Sequence, residues 1–414
     1  MLLVSGVPFL AGQSLKTSAP RRVVITGSGI ITSMGNGWRA NADGFREGRL
    51  AFREITLFDT TGQRVHSGGQ LELPAGYEKL DRASAMLLCA AREAWGESGW
   101  EADAEEAMPI CLGTSAGAMA VGEDYYKQAV DEPGNVNGQR ARIRAYLTES
   151  QALTMADGLG ISGPVTIITN ACASGANAIG HAYRQVQSGR AERAIAGGYD
   201  ALCKMVFSGF DSLQALTTSL PPRPFDANRD GLALGEGAAV VTVETLESAK
   251  KRGANILAEI VGYGAATDLH HLTQPNPEGD AALASMNAAC TEAGMSHADI
   301  DYINSHGTGT PLNDIAEGNA ICRWAGNDVG RVAVSSTKAS VGHLLGGAGA
   351  VEAVISLMAM KESWLPPTTT VKTPDPVCKF DLVREPRDAE LRAVLTNSFG
   401  FGGANATLVM KKLS

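Results

Sequence analysis

An α/β fold built from two βα-repeating halves is the class this sequence predicts, on three observations. Strand-like runs rich in Val and Ile alternate with Ala-rich stretches of helical spacing. The strand-like runs have the apolar character of buried sheets. The pattern also restarts after about residue 255, which reads as a duplicated α/β unit, although the halves share too little sequence to show it by identity.

Taken in order, folding starts at RRVVITGSGIIT, a basic pair followed by a buried-type strand and a glycine turn. The helical run RASAMLLCAAREAWGESG precedes the strand and turn MPICLGTSAG. TIITNACASG is another strand, GANAIGHAYRQVQSGRA a helix and RAIAGGYDA a strand. TSLPPRPFDANRDG is the most loop-like stretch and joins elements rather than domains. GAAVVTVETLESAKKRG, strand into helix, completes a first half over residues 21–255. The second half, 256–414, opens on the strand ILAEIVGYGAATD and the helix EGDAALASMNAACTEAGMS. IDYINSHGTGT is a strand and turn, and RVAVSSTKASVGHLLGGAGAVEAVISLMAMKE a strand, loop and long helix. AVLTNSFGFGGANATLVMKK gives two strands around a glycine-rich turn. Residues 1–20 have neither the basic start of a signal peptide nor the ~20 apolar residues of a membrane span. They read as an extension outside the fold.

Bulk properties narrow the function classes. A net charge of −9 over 414 residues, with no dense Lys/Arg run, argues against a nucleic-acid surface, and no other window approaches a membrane span. The seven Cys are odd in number and lack C-x-x-C or Cys/His spacing, so neither a disulfide framework nor a structural metal is expected. Such usage fits a reducing cytosol.

Four stretches carry chemistry. TNACASGANAIG, residues 169–180, sets Cys172 between a strand and a helix with only small neighbours, and Gly175 relieves crowding there. A nucleophile on such a turn is open to substrate, the helix N-terminus favours thiolate, and nearby N–H groups suit an oxyanion. An inert buried thiol fits the same stretch equally well. NSHGTGTPLND, 304–314, places His306 at a strand end before a hydroxyl-rich turn. SSTKASVGHLLGGAGAVE, 335–352, carries Lys338 and His343 on a loop entering a helix, with Glu352 further along. NSFGFGGANA, 397–406, suits either an apolar lid or a bulged turn.

Together, and in this order and spacing, the four stretches resemble the elongating β-ketoacyl-[acyl-carrier-protein] synthases, over nearly the whole chain from residue 21. The resemblance implies a thiolase-like α-β-α-β-α layering and a decarboxylative condensation with malonyl-carrier protein. It implies Cys172 as acyl acceptor, His306 and His343 as its partners and Lys338 as supporting cation, with the oxyanion on the N–H groups of Cys172 and Phe401. By the same resemblance Thr273, Thr308 and Thr310 bind the phosphopantetheine arm, and Ala116, Phe399 and Phe401 line or gate the acyl pocket. Asn304, Glu317 and Glu352 lie where family members can hold a structural cation, and Glu236 ends a family-like loop FDANRDGLALGEGA. No cofactor is implied, because substrates ride on the 4'-phosphopantetheine of acyl carrier protein. The expected partners are that carrier and a second subunit, either a copy or a chain-length-factor-like paralogue, in the cytoplasm.

Related chemistries fit less well. A degradative thiolase needs a second Cys in the C-terminal glycine turn, and SFGFGGANA has none. Initiating synthases use Asn where this chain has His343, and a chain-length factor lacks the nucleophile. Two departures from the elongating pattern remain: Ala116 replaces a bulky aliphatic gate, and Arg142 replaces an aromatic that reaches toward the partner subunit. They leave a specialised polyketide or polyene pathway open beside fatty-acid elongation. Arg142 has three outlets: a paralogue's side, Glu149, or a carrier-docking patch with Arg140 and Arg144.

Overall fold

The computed structural model describes residues 20–102 and 107–413; residues 1–19 of the expected extension lie outside the described residues. In the first half, β1 (Val23–Thr32) leads to α1 (Arg82–Ser98) and β2 (Ile110–Gly113). Then come α2 (Met119–Asp131), α3 (Gln139–Tyr146), α4 (Thr148–Leu159), β3 (Val165–Ile168) and α5 (Ser174–Gln187). β4 (Arg193–Asp200), α6 (Lys204–Ser212) and β5 (Gly237–Thr245) follow. The second half runs β6 (Ala258–Thr267), α7 (Asp280–Ala293), β7 (Tyr302–Asn304), α8 (Pro311–Ala325) and β8 (Ala333–Ser335). It ends with α9 (Ala348–Glu362), β9 (Asp381–Leu382), β10 (Ala393–Phe399) and β11 (Ala404–Lys411).

These strands follow one path, β9-β8-β7-β10-β11-β6-β1-β5-β4-β2-β3. Outward from β1, the β5 and β4 pairings are antiparallel and the β2 and β3 pairings parallel. Outward from β6, β11 and β10 pair antiparallel, then β7 and β8 parallel. The same succession occurs twice, and the two runs meet where Val23, Val24 and Ile25 pair with Ile260, Glu259 and Ala258.

α5 and α9 pack on each other between the two runs of strands, while α1 covers β1 and β5 and α7 covers β6 and β11 from outside. This is the predicted α-β-α-β-α layering. α9 is buried at every residue from Ala348 to Met360, as its apolar composition on all faces requires.

One local expectation is corrected. Gly27-Ser28-Gly29 is not a turn but continuous β1. A Cβ at Gly29 would stand 1.9 Å from the Ala90 carbonyl oxygen of α1, and one at Gly27 2.1 Å from that of Ala94. The glycines let a helix backbone touch a strand backbone. β6 repeats the device: Cβ atoms at Gly262 and Gly264 would stand 2.0 Å and 2.1 Å from the Ala289 and Ser285 carbonyl oxygens of α7.

Glu236, fully buried, is held by Arg82 in a two-pronged ion pair at 2.7 and 2.5 Å and accepts the Leu71 and Leu202 N–H groups. It fixes its loop to the start of α1 and does not line the cleft described below.

Overpacking at the β1–α1 contact is directly testable. Gly29→Ala should cost about 3 kcal/mol in urea unfolding. Gly96→Ala, on α1 where an added Cβ meets nothing, should leave stability unchanged or slightly raised. A Gly29→Ala protein unfolding at the wild-type urea midpoint would contradict this packing.

Candidate active site

Cys172 sits where β3 gives way to α5, in a short 3-10 turn from Ala171 to Ala173. Ala171 adopts φ +56°, a left-handed conformation that costs a non-glycine residue free energy. Ser174 holds the bend: its Oγ donates to Ala171 O at 2.6 Å and accepts the Asn170 N–H at 2.9 Å. Cys172 is 8 % exposed. Burial pushes it up to about 12, against the opposing pull of Lys338 and of the Phe401 N–H aimed at the sulfur. Burial thus works against the thiolate that a helix N-terminus favours.

His306 lies on the turn after β7, whose backbone is fixed by Glu317 of α8: the carboxylate accepts the His306 and Gly307 N–H groups at 2.8 and 2.7 Å. His343 lies on the turn before α9, its ring 5.3 Å from that of His306 and nearly perpendicular to it. Lys338, buried and ion-paired with Glu352, places Nζ 3.4 Å from His306 Nδ1. His343 Nδ1 accepts the Leu345 N–H at 3.1 Å. Each Nδ1 thus faces a donor, which assigns the ring proton of both imidazoles to Nε2. Burial, with Lys338 adding to it, holds both imidazoles well below their ordinary value, so both are neutral.

Cys172, His306 and His343 share one cleft of about 370 Å³. Phe399 and Phe401 line it too, with Phe399 5.6 Å from the His306 ring. Thr273, Thr308 and Thr310 line the same cleft, and the Thr308 and Thr310 hydroxyls are 2.8 Å apart. Phe401 is 41 % exposed and stacks on Phe210, a cleft residue with no signal in the sequence.

Three expected residues stand elsewhere. Ala116 is not a cleft residue; it packs in a buried cluster with Leu202, Phe207 and Leu345. Arg142, on α3, donates to the side-chain carbonyls of Gln128 and Gln139 of its own chain. Glu317 has both oxygens occupied, one of them also by Asn397 Nδ2 at 3.2 Å, and so differs from the rest of the supposed cation set. Asn304 Oδ1, Glu352 Oε2, Thr396 Oγ1 and Ser398 Oγ are by contrast buried without partners. Thr396 pairs with Asn304 across the sheet, and a Cβ at Gly349, one turn before Glu352, would stand 2.6 Å from Ser398 Oγ. Among the described residues no cluster of three or more His, Cys, Asp or Glu suits a metal ion.

Neutral, buried imidazoles have a direct signature. In a pH titration followed by NMR, neither His306 nor His343 should show a midpoint near the ordinary value of about 6.5. A midpoint at or above that value for either ring would contradict this site.

Comparison with known proteins agrees with this geometry. The chain matches the beta-ketoacyl synthase N-terminal domain over residues 20–249 and the beta-ketoacyl synthase C-terminal domain over residues 257–372. It is 38% identical over 416 residues to 3-oxoacyl-[acyl-carrier-protein] synthase 2 of Staphylococcus aureus, covering 95% of this chain and 99% of the relative. The solved ishigamide ketosynthase/chain length factor superposes with a TM-score of 0.87 at 32% identity, covering 96% of this chain and 100% of that one. A type II polyketide acyl-carrier protein in complex with its ketosynthase bound to the hexaketide gives a TM-score of 0.87 at 28% identity, covering 95% and 100%. The chain belongs to the beta-ketoacyl synthase family.

Proposed function

We propose that this chain is a 3-oxoacyl-[acyl-carrier-protein] synthase, which carries an acyl group on Cys172 and condenses it with malonyl-carrier protein. The observation that carries the reading is the convergence of two neutral Nε2–H donors on the cleft that holds the thiol. Cys172 sulfur attacks the acyl thioester, and the expelled pantetheine thiolate takes up the proton that Cys172 loses. The oxyanion formed on the way rests on the N–H groups of Cys172 and Phe401. Malonyl-carrier follows, with its thioester oxygen on the Nε2–H groups of His306 and His343. Carbon dioxide leaves, and the enolate those donors stabilise attacks the acyl carbonyl. The new carbon–carbon bond forms as Cys172 sulfur departs and is reprotonated, which releases the 3-oxoacyl carrier.

Lys338 keeps His306 Nδ1 an acceptor, and Thr273, Thr308 and Thr310 steady the phosphopantetheine arm. The reaction takes no further cofactor. The unpartnered oxygens of Asn304 and Glu352 suit a monovalent structural cation beside the Lys338 pair. Seven free cysteines fit the cytosol, and no helix of the described residues is long and apolar enough to cross a membrane.

The second subunit meets this chain along β3. That strand ends the sheet path with one edge unpaired, and exposed Ile143, Tyr146 and Leu147 belong to the nearby α3 segment. A copy of this chain is the favoured partner, because Arg142 is satisfied inside its own subunit and demands no paralogue. The heterodimer is the second reading, on the ketosynthase/chain length factor among the similar structures.

Two experiments test these readings. His306→Ala and His343→Ala should each slow malonyl-carrier decarboxylation on the order of 100- to 1,000-fold, while acyl transfer to Cys172, followed by mass spectrometry, changes little. Wild-type decarboxylation in either variant would remove that His from its role. The chain expressed alone should have the native mass of a dimer and condense carrier-bound substrates; an inactive monomer rescued by a paralogue would favour the heterodimer.

A further inference from the structure

Asp200, at the end of β4, takes no part in the steps above, yet it is fully buried and faces no basic side chain among its hydrogen-bond partners. Its five donors come from two turns. Thr114 Oγ1 and the N–H groups of Ser115, Ala116 and Gly117 reach it from the turn after β2, at 2.6 to 3.1 Å. The Gly346 N–H reaches Oδ2 from the turn before α9, at 2.6 Å. That second turn is under conformational load, since Leu345 has φ +50°. The Leu345 N–H is the donor that occupies His343 Nδ1.

We infer that Asp200 is a positioning residue: by gripping Gly346 it holds the Leu345 N–H against His343 Nδ1 and so keeps the His343 Nε2–H aimed into the cleft. The inference rests on the condensing reading for its kinetic consequence, but not for the tautomer. An imidazole released from Leu345 is free to rotate or to carry its proton on Nδ1, and either change removes one of the two enolate donors. The tie to residues 114–117 would survive a change that cut only the tie to Gly346.

Asp200→Asn makes that separation. Its amide oxygen can still accept from Thr114, Ser115, Ala116 and Gly117, while its NH2 group would lose the second Ser115 contact and confront the Gly346 N–H, donor against donor. In protein labelled with 15N-histidine, wild-type His343 should show an unprotonated Nδ1 and a protonated Nε2, and Asp200→Asn should lose that pattern. Malonyl-carrier decarboxylation should fall on the order of 100-fold, with acylation of Cys172 within about twofold of wild type. Thr114→Val, which removes a donor from the other turn only, should leave both steps near wild type. The inference is overturned by a protonated Nδ1 in wild-type His343, by an unchanged spectrum and decarboxylation rate in Asp200→Asn, or by equal loss of both steps. If Asp200→Asn does not fold, amide exchange in the wild type decides. Strong protection of the Gly346 N–H supports the grip, and exchange at the rate of an open loop overturns it. A wild-type chain that condenses no carrier substrate while showing the stated tautomer would sink the condensing reading and leave the tie intact.

Discussion

The cleft depends on how closely the starts of α5 and α9 approach each other. A Cβ at Gly175 would stand 2.8 Å from the Ala350 N–H nitrogen, and one at Gly349 2.8 Å from that of Ala176. One at Gly346 would stand 2.6 Å from Ser115 N. Backbone therefore lies against backbone, with no side chain between that could repack. This contact brings the Cys172 turn of one half beside the His343 turn of the other, and it leaves no room for either helix to slide. The small residues around Cys172 serve this approach as much as they serve access to the thiol.

Besides Asp230 and Asp268, which line the cleft, the two imidazoles face it uncharged. Lys338 is the buried cation, and it is matched at once by Glu352, whose carboxyl burial pushes up and Lys338 pulls back. A buried pair of this kind is a poor source of stability, because desolvation consumes much of its attraction. Its use here is electrostatic: Lys338 adds to the burial that keeps both rings neutral, and it sets the His306 tautomer. Neutral donors suit an enolate oxygen whose charge appears only in the reaction, since they do not bind an existing anion strongly beforehand.

Much of this was legible in the sequence, and the failures have physical reasons. Cys172, His306, Lys338 and His343 are singled out by their Gly-, Ser- and Thr-rich turns, but their roles come only from the family resemblance of the four stretches together, since Cys172 alone fits an inert buried thiol equally well. The duplication also had a trace, the G-x-G of VVITGSGII and of EIVGYGAAT, which occupies equivalent strands against equivalent helices. The first of the two reads as a turn and the second as strand, because glycine pairs look alike whether they bend the chain or admit a neighbour. The grip of Glu317 on the His306 and Gly307 N–H groups had no trace in spacing, since only the fold brings them together. Ala116 packs in the buried cluster around Phe207, a placement that only the fold shows. Phe210 gave no sign at all, because a phenylalanine on a helix is usually core.

The duplicated topology explains why the chemistry converges. β3 and β8 are equivalent strands, and after them come Cys172 before α5, and Lys338 and His343 before α9. β4 and β10 are also equivalent, and they end at Asp200 and at Phe399, next to the Phe401 N–H. β2 and β7 likewise lead to the Thr114–Gly117 turn and to the His306 turn. Each of these two turns is gathered by buried carboxylates that accept its backbone N–H groups, Asp200 in one half and Glu317, with Asp314 on Gly309, in the other. The halves thus keep a common scaffold of strand ends and carboxylate-tied turns. They differ in what that scaffold presents, a thiol in the first half and imidazole N–H groups in the second. A single half would own either the sulfur or the imidazoles, and a condensing site needs both within one van der Waals envelope.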